Sequence, residues 1–214
     1  MGPTPFLPRL GNLEISHFIS FDCSEIHFLI TKTADKQSII DAGINVVKVI
    51  SGKEDAYGLT RAEKAGIPNM AVTAKMYPDI EKRMEKIAEI LTEDKCDLIV
   101  LAGYLSILTD NLLKRFNNRV INIHPALLPK HGGKGCYGIN VHRMVLEAGD
   151  KVSGATVHYV DEGVDTGKII LQREVPVLKD DTPESLQERV LEIEHKILPE
   201  AIFMLEKAFT EGRD

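Results

Sequence analysis

Apolar residues follow two alternating patterns along the chain: short unbroken runs, and repeats at intervals of three and four residues. The first pattern is typical of buried strands, and the second of helices with one apolar face. The run at 97–102 is apolar after its first residue, as expected for a parallel strand that is covered on both faces. The pattern predicts strands at 25–31, 44–51, 69–74, 97–102, 120–124, 155–160 and 168–177. It predicts helices at 34–42, 56–65, 78–93, 109–116, 139–148 and from Pro183 onward.

Strands that alternate with helices in this order predict an α/β fold with a doubly wound, mostly parallel sheet. No helix separates the last two strands, at 155–160 and 168–177, which predicts an antiparallel pair at the C-terminal end. The length of 214 residues fits one domain, 1–214. Residues 1–24 have the least regular pattern, because three early prolines are followed by mixed polar and apolar residues.

The composition argues against several classes of protein. The net charge is −6, whereas a nucleic-acid binder needs a surplus of Lys and Arg to replace the counterions of the phosphates. No apolar run reaches the about 18 residues of a membrane span, and residues 1–12 lack the apolar stretch of a signal peptide. Three scattered cysteines form neither a disulfide framework nor a zinc motif. We therefore expect a cytoplasmic protein that binds no nucleic acid, membrane or metal.

Two polar residues at the end of the strand 120–124 are candidates for chemistry. Asn122 and His124 are two positions apart, so in an extended chain both side chains point to one face. The Asn122 amide can donate to a developing oxyanion, and the His124 imidazole can move a proton near neutral pH. An equally open interpretation is structural: Asn122 caps the strand and His124 bonds a carbonyl of the following loop.

The loop 161–167 carries three carboxylates, on Asp161, Glu162 and Asp165, together with two glycines. A carboxylate next to His124 would raise the pKa of the imidazole and hold its orientation. The alternative is a solvated acidic turn. Spacing along the chain does not show whether this loop reaches His124.

Three segments resemble the folate-dependent formyltransferases: LAGYLSIL at 101–108, NIHPALLP at 122–129 and GATVHYVDEGVDTG at 154–167. Shorter pieces at 51–62, 65–68, 181–190 and 194–201 extend the resemblance from about residue 50 to 209, roughly three quarters of the chain. The resemblance implies a Rossmann-like fold in which 1–214 form a single formyltransferase domain.

The resemblance also implies an activity: transfer of the formyl group of 10-formyltetrahydrofolate to the amine of 5′-phosphoribosylglycinamide, in purine nucleotide biosynthesis. Asn122 and a protonated His124 would stabilise the tetrahedral oxyanion, and Asp165 would keep His124 cationic and relay a proton through water. The folate would be the formyl-donating co-substrate, with no metal. Its binding residues would be Leu105, Ser106, Ile107, Leu108, Asn122, Val160, Asp161, Glu162, Gly163, Val164 and Asp165. Pro125 and Glu194 would contact the acceptor substrate.

The first 35 residues depart from this family. Its members carry a glycine-rich phosphate loop after the first strand, whereas residues 30–35 contain no glycine and include the anionic Asp35. Bare backbone N–H groups must approach a phosphate closely, which is why glycines matter there. The phosphate would instead be held by Thr31, Lys32 or Thr33, or by the glycine-rich loop 130–135 with Lys134. A flexible surface segment is an equally open interpretation of that loop.

Three alternatives to this activity remain open from the sequence. They are a 10-formyltetrahydrofolate hydrolase, an N-formyltransferase for an amino-sugar nucleotide, and an inactive ligand-binding relative whose phosphate loop has decayed. The partners implied by each are small molecules, and the chain would be a monomer or a homodimer.

Overall fold

The computed structural model describes residues 15–19, 39, 42–102 and 108–211. Its strands are β1 (Ile15–Ile19), β2 (Val46–Ser51), β3 (Asn69–Ala71), β4 (Leu98–Ala102), β5 (Val120–His124), β6 (Val152–Tyr159) and β7 (Ile169–Pro176). Its helices are α1 (Tyr57–Lys64), α2 (Ile80–Glu93), α3 (Asp110–Arg115), α4 (Ile139–Glu147) and α5 (Pro183–Thr210).

The strands form one sheet in the order β3-β2-β1-β4-β5-β6-β7. Strands β1 to β5 pair in parallel, whereas β6 pairs antiparallel with both β5 and β7. This arrangement confirms the predicted fold class. Because β6 runs antiparallel to β5, it ends beside the amino end of β5, where the Val160 N–H bonds the Val120 carbonyl. The loop after β6 must therefore turn back along the face of the sheet to reach the carboxyl end of β5.

Apolar side chains cover both faces of the central strands. In β4, Leu98 and Val100 belong to one buried cluster, which includes residues of α5. Ile99 and Leu101 belong to the other cluster, with residues of α2 and α3. The alternation explains why the run at 97–102 is apolar throughout, since successive side chains point to opposite and equally buried faces.

The strand β1 was not predicted, although it lies between β2 and β4 in the middle of the sheet. The polar Ser16 and His17 interrupt its short apolar pattern, so the segment does not stand out from its irregular surroundings. The predicted strand at 25–31 lies outside the described residues. So does the predicted helix at 34–42, apart from Ile39 and Ala42.

The other predicted elements are confirmed within a few residues. Gly66 and Gly149 follow α1 and α4 with φ of +70° and +68°, the left-handed conformation that ends many helices. Thr109 precedes α3, but its side chain makes no capping hydrogen bond. β3 is shorter than the predicted strand, and β6 begins three residues earlier than predicted, at Val152.

The start of α5 is stabilised by a polar network. Thr182 and Ser185 form the reciprocal hydrogen bonds of a capping box, and Pro183 occupies the first turn. The Asp181 carboxylate accepts two hydrogen bonds from the Arg189 guanidinium, at 2.7 and 2.8 Å. These bonds hold the pKa of Asp181 far below its usual range, with further lowering by bonds from the Leu178 backbone and the Ser185 hydroxyl.

Across the described ranges, no helix is long and apolar enough to span a membrane.

We expect Asp181→Asn to lower the free energy of unfolding by about 1–2 kcal/mol at pH 7, because a bidentate charged pair is lost. A depressed carboxyl pKa stabilises above the unfolded value of about 3.9, and this stabilisation is lost as the pH falls through the folded-state pKa. Urea unfolding of the wild type and of Asp181→Asn should therefore show a difference in the free energy of unfolding that narrows below about pH 4.

Asp110→Asn is the matched control, because its ion pair with Lys114 is largely exposed and should contribute at most about 0.5 kcal/mol. A difference between wild type and Asp181→Asn that is absent at pH 7, or that widens in acid, would contradict this account of the α5 start.

Candidate active site

The sheet register brings polar side chains together at the carboxyl end of β5. Asn122 is paired with His158 and His124 with Thr156 across the antiparallel β5–β6 ladder, so all four side chains share one face. Ile121 and Ile123 point to the opposite face and are buried in the apolar cluster. Their burial fixes which way the strand faces, because a slip of one residue would turn the polar side chains into the apolar cluster.

The two nitrogens of His124 have different partners. Nε2 lies 2.9 Å from the carbonyl oxygen of His131, and a carbonyl only accepts, so Nε2 carries a hydrogen and donates it. Nδ1 lies 3.6 Å from Oδ2 of Asp165. One nitrogen therefore bonds a loop carbonyl, as the structural interpretation of His124 expects, and the other faces a carboxylate.

Asp165 is the carboxylate of the acidic loop that reaches His124. Its Oδ2 accepts a hydrogen bond from the backbone N–H of Gly133 at 3.0 Å, and its Oδ1 lies 3.7 Å from Nε2 of His158. Asp165 has a φ of +57°, a left-handed conformation that is uncommon outside glycine. One carboxylate thus connects the loops that follow β5 and β6.

A second carboxylate of this loop shapes the backbone. Oδ1 of Asp161 accepts from the N–H of Gly163 at 3.0 Å and from the hydroxyl of Thr166 at 2.6 Å. At Gly163 a Cβ would overlap the Thr166 side chain, and at Gly167 it would overlap the Tyr159 carbonyl. Both glycines are therefore needed for close approach within the turn.

His158 contacts the amide of Asn122, a role that the sequence did not reveal. Nδ1 of His158 lies 2.8 Å from the Tyr159 carbonyl and must donate to it. In the neutral ring Nε2 is then an acceptor, and the Asn122 Nδ2 group donates to it at 3.2 Å. This leaves the second hydrogen of the amide for another acceptor. The antiparallel pairing of 122 with 158 is the signal that could have identified His158.

Burial controls the charge of these imidazoles. Desolvation lowers the pKa of His124, although the Asp165 charge and the His131 carbonyl both act to raise it. Asp165 thus acts on the pKa of His124 in the expected direction, but burial outweighs it because this side chain is almost fully buried. The expected cationic form of His124 is therefore not the favoured one. Burial also lowers the pKa of His158 and lowers that of His142 to about 4. A neutral His158 is the form that accepts from Asn122.

The loop after His124 is clamped by a buried hydroxyl. Oγ1 of Thr156 donates to the Ala126 carbonyl at 2.6 Å and accepts from the Leu128 N–H at 3.1 Å. Nε2 of Gln172 donates both to that hydroxyl and to the Leu128 carbonyl, each at 2.8 Å. These bonds position the chain directly after β5 against β6 and β7.

The loop after β6 also borders a cleft of about 760 Å³. Its lining includes Val160, Asp161, Glu162 and Gly163, four residues that the resemblance assigns to folate binding, with Leu113 of α3 beside them. A cleft of this size is in the range that holds a drug-sized ligand. The same loop therefore contributes to an open cleft and, through Asp165, to the polar cluster.

The remaining predicted site residues differ in their burial, and some lie outside the described residues. Leu108 is buried in an apolar cluster, whereas Val164 is half exposed. Glu194 is buried within α5, Pro125 is partly exposed, and Lys134 is exposed. Leu105, Ser106, Ile107, Thr31, Lys32 and Thr33 lie outside the described residues. Within the described ranges, no group of three or more His, Cys, Asp or Glu side chains is placed to hold a metal.

Comparison with known proteins gives a consistent picture. The family model described as formyl transferase matches residues 14–202. The chain is 42% identical over 183 residues to a phosphoribosylglycinamide formyltransferase of Haemophilus influenzae, covering 83% of this chain and 82% of that protein. It is 41% identical over 192 residues to the trifunctional purine biosynthetic protein adenosine-3 of Drosophila melanogaster, covering 90% of this chain and 14% of that protein. It thus spans about one seventh of the fly relative.

A solved structure extends the similarity to the fold. Glycinamide ribonucleotide transformylase 1 from Symbiobacterium toebii superposes with a TM-score of 0.79 at 38% sequence identity. The match covers 98% of this chain and 93% of that one. At this identity the likeness concerns the sequence as well as the topology.

We expect Thr156→Val to lower the free energy of unfolding by about 2–4 kcal/mol, since the buried Leu128 N–H and Ala126 carbonyl each lose a partner. Thr156→Ser keeps the hydroxyl and should lose only about 1 kcal/mol, for one buried methyl group. Urea unfolding of the two variants measures the difference. Equal losses would show that the methyl group, and not the hydroxyl, stabilises this loop.

Proposed function

The chain belongs to the formyl transferase family, and on that premise we propose that it transfers the formyl group of 10-formyltetrahydrofolate to the amine of 5′-phosphoribosylglycinamide, in purine nucleotide biosynthesis. The observation that carries the proposal is the cluster of Asn122, His124 and Asp165 at the carboxyl end of β5. The named activities of the Haemophilus influenzae and Symbiobacterium toebii relatives support this substrate pair over the hydrolase, amino-sugar and inactive alternatives.

The reaction sets two demands on the site. The acceptor nitrogen bonds to the formyl carbon, and the bond from that carbon to N10 of the folate breaks. On attack the amine becomes positively charged and the formyl oxygen negatively charged. The site must therefore offer a hydrogen-bond donor to the oxygen and a base to the amine.

Asn122 is suited to the oxygen. His158 accepts one hydrogen of the Asn122 Nδ2 group and so fixes the orientation of the amide. The other hydrogen is available to the formyl oxygen. Because that oxygen is more negative in the transition state than in the substrate, the interaction accelerates the chemical step more than it strengthens binding.

His124 is suited to the proton. Its Nε2 hydrogen is committed to the His131 carbonyl, so Nδ1 is the nitrogen that takes the amine proton. The resulting imidazolium is stabilised by Asp165 and lies beside the negative oxygen. His124 then returns the proton to N10 as the bond to the formyl carbon breaks, which leaves tetrahydrofolate and the formylated amine.

Binding of the two substrates follows the two sides of the loop after β6. We assign the folate ring to the cleft beside Val160–Gly163. The family resemblance adds Leu105–Leu108 and Val164 as further folate contacts. For the acceptor we assign Pro125 and Glu194, with Lys134 or Thr31–Thr33 at the phosphate. Lys130 of the same loop is already paired with Asp150.

The proposal also covers the setting of the enzyme. We take residues 1–214 as one formyltransferase domain with an atypical 1–35, located in the cytoplasm and working as a monomer or homodimer on small molecules.

A formyl-transfer assay that follows the folate absorbance tests the function. We expect loss of 10-formyltetrahydrofolate only when 5′-phosphoribosylglycinamide is present. His124→Ala should reduce the rate about 10²–10⁴-fold, the usual cost of losing a positioned proton-transfer group. Folate loss without the amine would favour a hydrolase, and no loss with either mixture would favour the inactive alternative.

Asn122→Ala separates transition-state stabilisation from binding. We expect kcat to fall about 10²–10³-fold while the KM for 10-formyltetrahydrofolate stays close to that of the wild type. Steady-state kinetics with each substrate varied in turn gives both constants. A variant that changed only KM would make Asn122 a binding group and would require a different donor to the oxyanion.

A further inference from the structure

Asp150 binds two consecutive residues of the loop that follows the catalytic strand. Its Oδ1 accepts from Nζ of Lys130 at 2.5 Å, and its Oδ2 accepts from Nε2 of His131 at 2.7 Å. The side chains of Asp150 and His131 are only 15% and 11% exposed. Both bonds lower the pKa of Asp150, so the carboxylate is ionised at neutral pH. Asp150 comes directly after Gly149, at the end of α4, and so ties the loop to a regular element.

The backbone of His131 connects Asp150 to the side chain of His124. Its carbonyl is the group that accepts the Nε2 hydrogen of His124. His131 has a φ of +56°, a conformation that costs free energy for a residue with a Cβ and persists only when its surroundings hold it. The hydrogen bond from its side chain to Asp150 holds His131 in this conformation.

We propose that Asp150 is a positioning residue for catalysis: acting through His131, it holds the carbonyl that fixes the tautomer and ring orientation of His124. The proposal rests on the proposed function in one respect, that His124 is the base of formyl transfer. It adds a chain of contacts, from Asp150 to His131 to His124, in which Asp150 itself touches neither substrate nor the reacting atoms.

The consequence of the contact follows from the two ring nitrogens. While Nε2 keeps its hydrogen, the neutral ring can accept a proton only at Nδ1, which faces Asp165. If the His131 carbonyl moves away, the hydrogen can reside on either nitrogen, and the ring can turn. Both changes reduce the fraction of molecules in which His124 is ready to act, without removing any group that binds the folate.

A structural role alone would not move the titration of His124. The ionisable groups that influence it are Asp165, His131, His158 and His142. The backbone carbonyl of His131 also raises the pKa of His124, through its hydrogen bond. Release of that carbonyl should therefore lower the pKa of His124, and the acid limb of the kcat profile should move to lower pH.

The test compares Asp150→Ala with a matched carboxylate variant, Glu200→Gln, which breaks an exposed pair with Arg173. We expect Asp150→Ala to lower kcat roughly tenfold to 10²-fold, since small displacements of a catalytic group have costs of this order. The KM for 10-formyltetrahydrofolate should not change, and Glu200→Gln should behave as wild type. Unchanged kcat in Asp150→Ala would overturn the proposal.

Substitutions of His131 keep the test decisive if Asp150→Ala fails to fold. His131→Gln retains a side-chain N–H that can donate to Asp150, whereas His131→Leu fills the space without a donor. We expect His131→Gln to retain most of the wild-type kcat and His131→Leu to lose it. Wild-type kcat in His131→Leu would overturn the proposal.

Nitrogen-15 NMR of labelled histidines provides a readout that needs no turnover. In the wild type we expect His124 in the Nε2–H tautomer, with a pKa that falls in Asp150→Ala and not in Glu200→Gln. If wild type transfers no formyl group, the proposed function fails, while this spectrum still tests the positioning. An identical His124 titration in all three proteins would overturn it.

Discussion

The carboxylate of Asp165 lies between two buried imidazoles and also accepts a hydrogen bond from the backbone of a second loop. It faces His124 at 3.6 Å and His158 at 3.7 Å, and it accepts from Gly133 at 3.0 Å. Asp165 belongs to one loop and bonds the backbone of the other, so this side chain links the two loops beyond the β5–β6 ladder from which they start. The left-handed backbone of Asp165 is the conformational cost of bringing the carboxylate to that point.

The site balances two opposing effects on charge. Burial lowers the pKa of both His124 and His158, whereas the negative charge of Asp165 acts to raise them. Burial is the larger of the two effects, so the pKa of each imidazole is lowered and its neutral form is favoured near neutral pH. A neutral His158 can hold the Asn122 amide, and a neutral His124 can take a proton. In the proposed reaction, the negative charge of Asp165 would compensate that of the protonated imidazole.

The sheet and two sets of hydrogen bonds on the loop after β5 fix the position of the His131 carbonyl beside His124. Thr156 and Gln172 hold the chain at Ala126 and Leu128, close to the end of β5. Asp150 holds it a few residues further along, at His131. A loop fixed at both places presents its carbonyl to His124 with little freedom, which is what proton transfer over hydrogen-bond distances requires.

Local patterns determined much of this protein from the sequence alone. Strands β4 and β5 and helix α2 follow from periodicity, because the period of each element is written into consecutive residues. The spacing of Asn122 and His124 already placed both on one face. The motifs of the family are contiguous segments, so its chemistry was recognisable before any contact was known.

Only the tertiary structure decided the rest, because the interactions concerned join residues far apart in the chain. The strand β1 is stabilised by pairing with β2 and β4 on both sides, which its own short pattern does not encode. Which of three loop carboxylates meets His124 depends on the turn at Asp165 and on the N–H of Gly133. The direction of the His124 pKa depends on burial, a property of the assembled sheet and loops and not of any segment.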